Sequence, residues 1–200
     1  SSKNYNTLVM GPWSHGDWAR NTATATIGNI KFGDSISSFY QKNIEANFFR
    51  HFLKDNGKGQ NKLPEAYVFD TGSKDWKTYD VWPPKNASKE TMFLNENKLT
   101  AQTGTSDAFI EFVSDPKKPV PFTEDINQKG ITPRKYMTDD QRFAARRPDV
   151  VVYETPVLRD DMTLAGDILA QLQVSTSGTD SDWIVKVIDV FLKLMRWLLI

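Results

Sequence analysis

Residues 7–10 (T-L-V-M) form a short apolar run cut off by Gly11-Pro12, which predicts a buried strand stopped by a turn. From residue 36 the apolar side chains return every fourth position, at Ile36, Tyr40, Ile44, Phe48 and Phe52. Phe39, Phe49 and Leu53 widen the same stripe, so the spacing predicts an amphipathic helix over 36–53. Ser38 with Gln41 predicts a capping box at its start, and Asn56-Gly57 a left-handed stop at its end. Residues 56–62 (N-G-K-G-Q-N-K) offer no apolar side chain to bury and predict a domain boundary at 60/61.

Beyond that boundary the pattern changes to short β-like runs separated by Pro, Gly, Asn and Asp, at 66–70, 76–82, 91–94, 108–113, 149–155, 162–165, 168–175 and 183–190. Such runs without intervening helices predict a mainly β fold, a β-sandwich or jelly roll rather than a βαβ array. The last ten residues, F-L-K-L-M-R-W-L-L-I, are strongly apolar but about half the ~20 needed for a membrane-crossing helix. No membrane span is expected.

Composition narrows the function classes. Lys plus Arg balances Asp plus Glu at 25 each, so no long-range field favours nucleic acid or an anionic membrane. The absence of cysteine excludes disulfides, thiolate zinc sites and thiol catalysis, and fits a reducing or an oxidising compartment alike. The first ten residues lack the basic segment and apolar stretch of a signal peptide and read as a chain entered within a fold.

The candidate chemistry centres on one of only two histidines. His15 stands in a loop directly after the first strand, between Trp13 and Trp18 and flanked by Gly11 and Gly16. A base at that place needs a nucleophile and an orienting carboxylate within reach. Neither is evident: the elbow G-x-S-x-G is absent, and the nearest approach, Gly33-Asp34-Ser35-Ile36-Ser37, lacks the second glycine and a preceding strand. A structural role for His15 stays open on the residues alone. His51, in F-F-R-H-F-L-K, is explained by its helix face, and His15 with Asp17 has no metal-ligand spacing around it. No metal or cofactor is expected. Asp139-Asp140 and Asp160-Asp161 read as solvated turn charges, and Gly57-Lys58-Gly59 does not have phosphate-loop spacing. Trp76 and Trp82 predict aromatic packing, or a sugar-stacking platform if both face one exposed groove.

Taken in order, L-V-M-G-P-W-S-H-G (8–16), N-I-E-A-N-F-F-R-H-F-L-K (43–54), D-V-W-P-P (80–84), F-L-N-E-N-K-L (93–99), S-D-P-K-K-P-V-P (114–121), R-P-D-V-V-V-Y-E-T-P-V-L (147–158) and G-T-D-S-D-W-I-V-K-V-I-D-V (178–190) resemble the CocE/NonD serine hydrolases. That family includes cocaine-esterase-like enzymes, α-amino-acid ester hydrolases, glutaryl-7-aminocephalosporanic-acid acylases and relatives of the X-prolyl dipeptidyl peptidases. The resemblance implies that 1–60 is the end of an α/β-hydrolase domain, its last strand and helix. It implies that 61–200 is an incomplete, galactose-binding-like jelly-roll sandwich. His15 becomes the triad histidine, and the tracts D-V-W-P-P, S-D-P-K-K-P-V-P and R-P-D-V become structural signatures. The serine elbow, the oxyanion-hole tyrosine, the triad aspartate and the acidic cluster of the amino-ester branch would all precede Ser1. After Val190 the resemblance implies a tyrosine-proline turn and further strands, where this chain has its apolar tail.

The function implied is that of the C-terminal part of a serine esterase or acylase, inactive without the missing residues. Its substrate is a small-molecule ester or amide, with no nucleic-acid partner. The intact family member is expected to be a homo-oligomer, and a bacterial extracytoplasmic compartment is favoured over the cytoplasm. The rival reading is a non-catalytic jelly-roll module for carbohydrate binding or assembly. Missing terminal strands would leave a sheet edge open to aggregation or domain exchange.

Overall fold

A computed structural model of the chain describes residues 4–20, 26–33, 36–56, 58, 63–104, 109–125, 127 and 134–191. Seven strands against three helical segments make the described residues mainly β by element. Packing divides the chain into two compact units, 1–87 with 131–139, and 88–130 with 140–200.

In the first unit β1 (Leu8–Met10) pairs in parallel with β4 (Ala66–Asp70), and β4 pairs antiparallel with β5 (Asp75–Tyr79). A parallel pair needs a crossover long enough to return the chain to the same end of the sheet, and a helix over 36–54 lies within it. The alignment extends upstream of the ladder. The Tyr5 hydroxyl accepts the Leu63 N–H at 2.7 Å, Thr7 Oγ1 donates to the Pro64 carbonyl at 3.1 Å, and Leu8 N–H donates to the Glu65 carbonyl at 2.9 Å. Residues 63–79 therefore belong with the strand before the histidine loop. The packing division falls after Ala87, whereas residues 59–62, where the sequence predicts a boundary at 60/61, lie outside the described residues.

The helix follows the expected stripe, but its backbone widens to i→i+5 bonding over Tyr40–Glu45 and Arg50–Lys54, as the Asp55 N–H donating to the Arg50 carbonyl shows. The capping box does not form. Ser38 lies inside the segment Ile36–Phe39, and the Gln41 amide is engaged elsewhere. Asn56 itself takes the left-handed conformation, φ +49°, expected of the helix stop. Ile27, Phe32, Ile36 and Phe69 form the core, with Trp13, Ile30 and Trp76 packed against it. The small hairpin β2 (Thr26–Ile27) and β3 (Ile30–Lys31) supplies two of these residues.

In the second unit β6 (Phe93–Asn95) and β7 (Lys98–Thr100) form a hairpin whose two turn residues, Glu96 and Asn97, both have positive φ. That is the geometry a two-residue primed turn requires. A single parallel bridge joins Lys98 to Glu154. The other expected strands are not formed: 109–113, 162–165, 168–175 and 183–190 make no ladder, and 149–155 contributes only isolated bridge residues. Residue 108 lies outside the described residues. A strand's preference is realised only against a hydrogen-bonded neighbour and a facing layer. Leu164, Ile168, Leu169, Ile184 and Val187 remain exposed. Residues 192–200, most of the apolar tail, are outside the described part. Among the described residues no helix is long and apolar enough to cross a membrane.

Candidate functional site

The loop after β1 is built on a turn, Ser14-His15-Gly16-Asp17, closed by the Asp17 N–H donating to the Ser14 carbonyl at 3.0 Å. Gly16 at the third corner has φ +78°, the value a type II turn demands there and L side chains resist. His15 occupies the second corner and is exposed. Its imidazole meets the Trp18 ring edge-on, with centroids 5.9 Å apart.

Asp17 is the organising residue. Its side chain is buried and accepts the Ser14 N–H at 3.1 Å together with the Ser14 hydroxyl, and Arg20 stands 3.8 Å away. Two side chains of the helix hold the loop from behind: Ser37 donates to the Asp17 carbonyl at 3.0 Å and Gln41 to the Trp18 carbonyl at 2.8 Å. Sequence reasoning considered Asp17 only as a metal ligand. The usable signal was Ser-x-x-Asp around a glycine, the pattern of a self-bonded turn.

Trp13 carries the loop into the core. Its ring contacts Tyr40 at 5.2 Å and Trp76 at 5.8 Å, and a Cβ on Gly11 would stand 2.5 Å from it. Burial, and secondarily the Glu45 carboxylate, push the Tyr40 phenol up, so it stays protonated at neutral pH. Trp76 also stacks on Phe39, while Trp82 packs against Tyr79. Both indoles are half-buried in such packing and form no exposed sugar platform. His51 is buried beside Tyr5 and Phe52, away from His15 in role: its ring fills the helix–strand seam.

Among the described residues no group of three His, Cys, Asp or Glu side chains could hold a metal ion, and no carboxylate hydrogen-bonds the His15 imidazole. The arrangement therefore presents one exposed, braced imidazole. In the second unit the signature tracts meet at Arg147, whose guanidinium holds both Asp149 oxygens, at 2.8 and 2.6 Å, and donates to the Lys118 carbonyl at 2.9 Å. That hydrogen bonding holds the Asp149 carboxyl below the usual carboxylate range. Its role is structural.

The family described as the X-Pro dipeptidyl-peptidase C-terminal non-catalytic domain matches residues 56–193. The cocaine esterase of Rhodococcus sp. (strain MB1 Bresler) is 28% identical over 92% of this chain and 33% of its own length. A crystal structure of an aminopeptidase from the marine sediment archaeon Thaumarchaeota archaeon is similar at 32% identity and a TM-score of 0.63, over 74% of this chain and 24% of that one. A selenomethionine-labelled α-amino acid ester hydrolase is similar at 29% identity and a TM-score of 0.65, over 80% and 27%. The chain spans about a third of the length of the esterase and about a quarter of each solved structure.

Proposed function

Because the chain belongs to the family of X-Pro dipeptidyl-peptidase C-terminal non-catalytic domains, as the C-terminal portion of a CocE/NonD protein, we propose that it forms part of a serine hydrolase acting on small esters or amides. Residues 1–60 supply the general base, His15, and residues 61–200 form a non-catalytic jelly roll. The carrying observation is the exposed imidazole on a braced turn directly after a parallel strand, in a chain similar to an esterase over 92% of its length. The spacing of short apolar runs supports the jelly roll, and the match over 56–193 supports its non-catalytic role.

In this reading a serine from the rest of the parent protein attacks the substrate carbonyl, and His15 takes its proton. His15 then returns the proton to the leaving group, and water, activated by the same imidazole, hydrolyses the acyl-enzyme. A carboxylate from outside the chain holds the imidazole tautomer. The parent is a homo-oligomer.

The test joins the chain to polypeptide supplying the serine elbow and the aspartate, and assays an activated amino-acid ester. His15→Ala lowers kcat about 10²–10⁴-fold. An unchanged kcat overturns the assignment. The chain on its own turns over nothing, and hydrolysis by it that His15→Ala abolishes refutes its incompleteness.

A further inference from the structure

A buried carboxylate is costly unless donors surround it. Asp17 is 3% exposed, and the donors it collects lie on the other side of His15 in the chain. Ser14 is tied to it three ways: by its own N–H, by its hydroxyl, and through its carbonyl to the Asp17 N–H. The Asp17 carbonyl is in turn tied to the helix through Ser37. His15 and Gly16 are thus the only residues between two fixed points. We propose that Asp17 is a positioning residue for His15: it touches no substrate, but fixes both ends of the turn from which the imidazole is presented. Its catalytic meaning rests on the hydrolase reading of His15.

A purely structural carboxylate would change stability and leave the orientation of His15 alone. The chain has two histidines, so its imidazole NMR signals fall into two sets, with His51 as an internal control for folding. The edge-on contact with Trp18 displaces the His15 signals from those of a solvated histidine. In Asp17→Ala they move to solvated values while those of His51 stay in place. Unmoved His15 signals in the folded variant overturn the proposal. Should Asp17→Ala fail to fold, as the His51 signals report, Ser14→Ala deletes one donor and takes its place. It moves the His15 signals part of the way, and their remaining unmoved is equally decisive against the proposal.

In the joined enzyme Asp17→Ala lowers kcat at least about tenfold with KM little changed, and Asp17→Asn, which keeps an acceptor oxygen for Ser14, recovers part of the loss. The two ideas fail separately. Activity that survives His15→Ala removes the hydrolase reading and leaves the NMR result standing. A silent Asp17→Ala beside a dead His15→Ala removes the positioning role alone.

Discussion

Ile44→Ala tests whether the helix that braces the histidine loop is held to the sheet by its apolar stripe. Ile44 is 2% exposed, the largest fully buried side chain among the described residues, and it lies in the widened part of the helix. The substitution removes three carbons at about 0.8 kcal/mol each, a transfer loss of about 2.4 kcal/mol. A rigid, sealed hole would raise the cost toward ~5 kcal/mol. Here the hole is not sealed, because Ile44 lines a cavity of about 230 Å³ together with Thr7, Val9, Tyr40, Phe48 and Leu63. Removing the side chain enlarges a space that already opens outward, so the void adds little and the expected loss is about 2.5 kcal/mol. Ile44→Val costs about 0.5–1.5 kcal/mol. Urea unfolding followed by tryptophan emission in a Trp183→Phe, Trp197→Phe background reads this unit, since the other four tryptophans, Trp13, Trp18, Trp76 and Trp82, all lie in it. A loss under about 1 kcal/mol refutes the anchoring of the helix by Ile44, and one near ~5 kcal/mol refutes the open cavity.

Gly11→Ala places a methyl group against the rigid Trp13 indole, and displacing that ring from Tyr40 and Trp76 costs about 1–3 kcal/mol, seen as a changed near-ultraviolet dichroism with a lowered melting temperature. Ser37→Ala removes the donor to the Asp17 carbonyl and costs about 1 kcal/mol, with faster hydrogen exchange confined to the loop; exchange unchanged there counts against the tether. Asp149 has its folded-state pKa lowered by Arg147, so its contribution to stability is complete above the unfolded carboxylate value of about 3.9 and is lost as pH falls through the folded value. Asp149→Asn therefore flattens the acid limb of the stability profile, and an acid limb identical to wild type removes that assignment.

The sequence was most legible where local chemistry decides the outcome. The stripe from Ile36 to Phe52 predicted the helix to within a residue, and Gly11-Pro12 marked the end of β1. Asn56 takes the left-handed stop its type favours. The widened turns were not legible, because a period of four fits i→i+4 and i→i+5 bonding about equally over so few residues. Strand pairing was hidden for another reason. The runs at 66–70 and 76–82 found a partner in β1 and in each other, whereas runs just as apolar at 168–175 and 183–190 found no ladder. Composition is the same in both cases, and only a neighbour distinguishes them. The parallel pairing of Leu8 with Ala66 could be seen only in three dimensions.

The candidate site shows the same limit in a single residue type. Asp70 accepts the N–H groups of Gly72 and Ser73, Asp115 that of Lys117, Asp125 that of Asn127 and Asp140 that of Arg142. Each is turn chemistry at the surface, where solvent could replace the aspartate at little cost. Asp17 uses the same chemistry, but it alone of these five is buried. Burial turns a dispensable bond into an obligatory one, since an unmade bond to a buried charge costs several times the net gain of a surface bond. No window of sequence separates S-H-G-D from the other turns, because the difference is the helix behind it, reaching in through Ser37 and Gln41. The rigidity of the His15 turn is therefore a property of the packed unit. Weakening the helix at Ile44 should loosen the loop even though no atom of the loop is altered, and the His15 signals of Ile44→Ala should broaden while those of His15 in Asp149→Asn, a change in the other unit, keep their wild-type width. Equal widths in both variants refute the coupling of loop to helix.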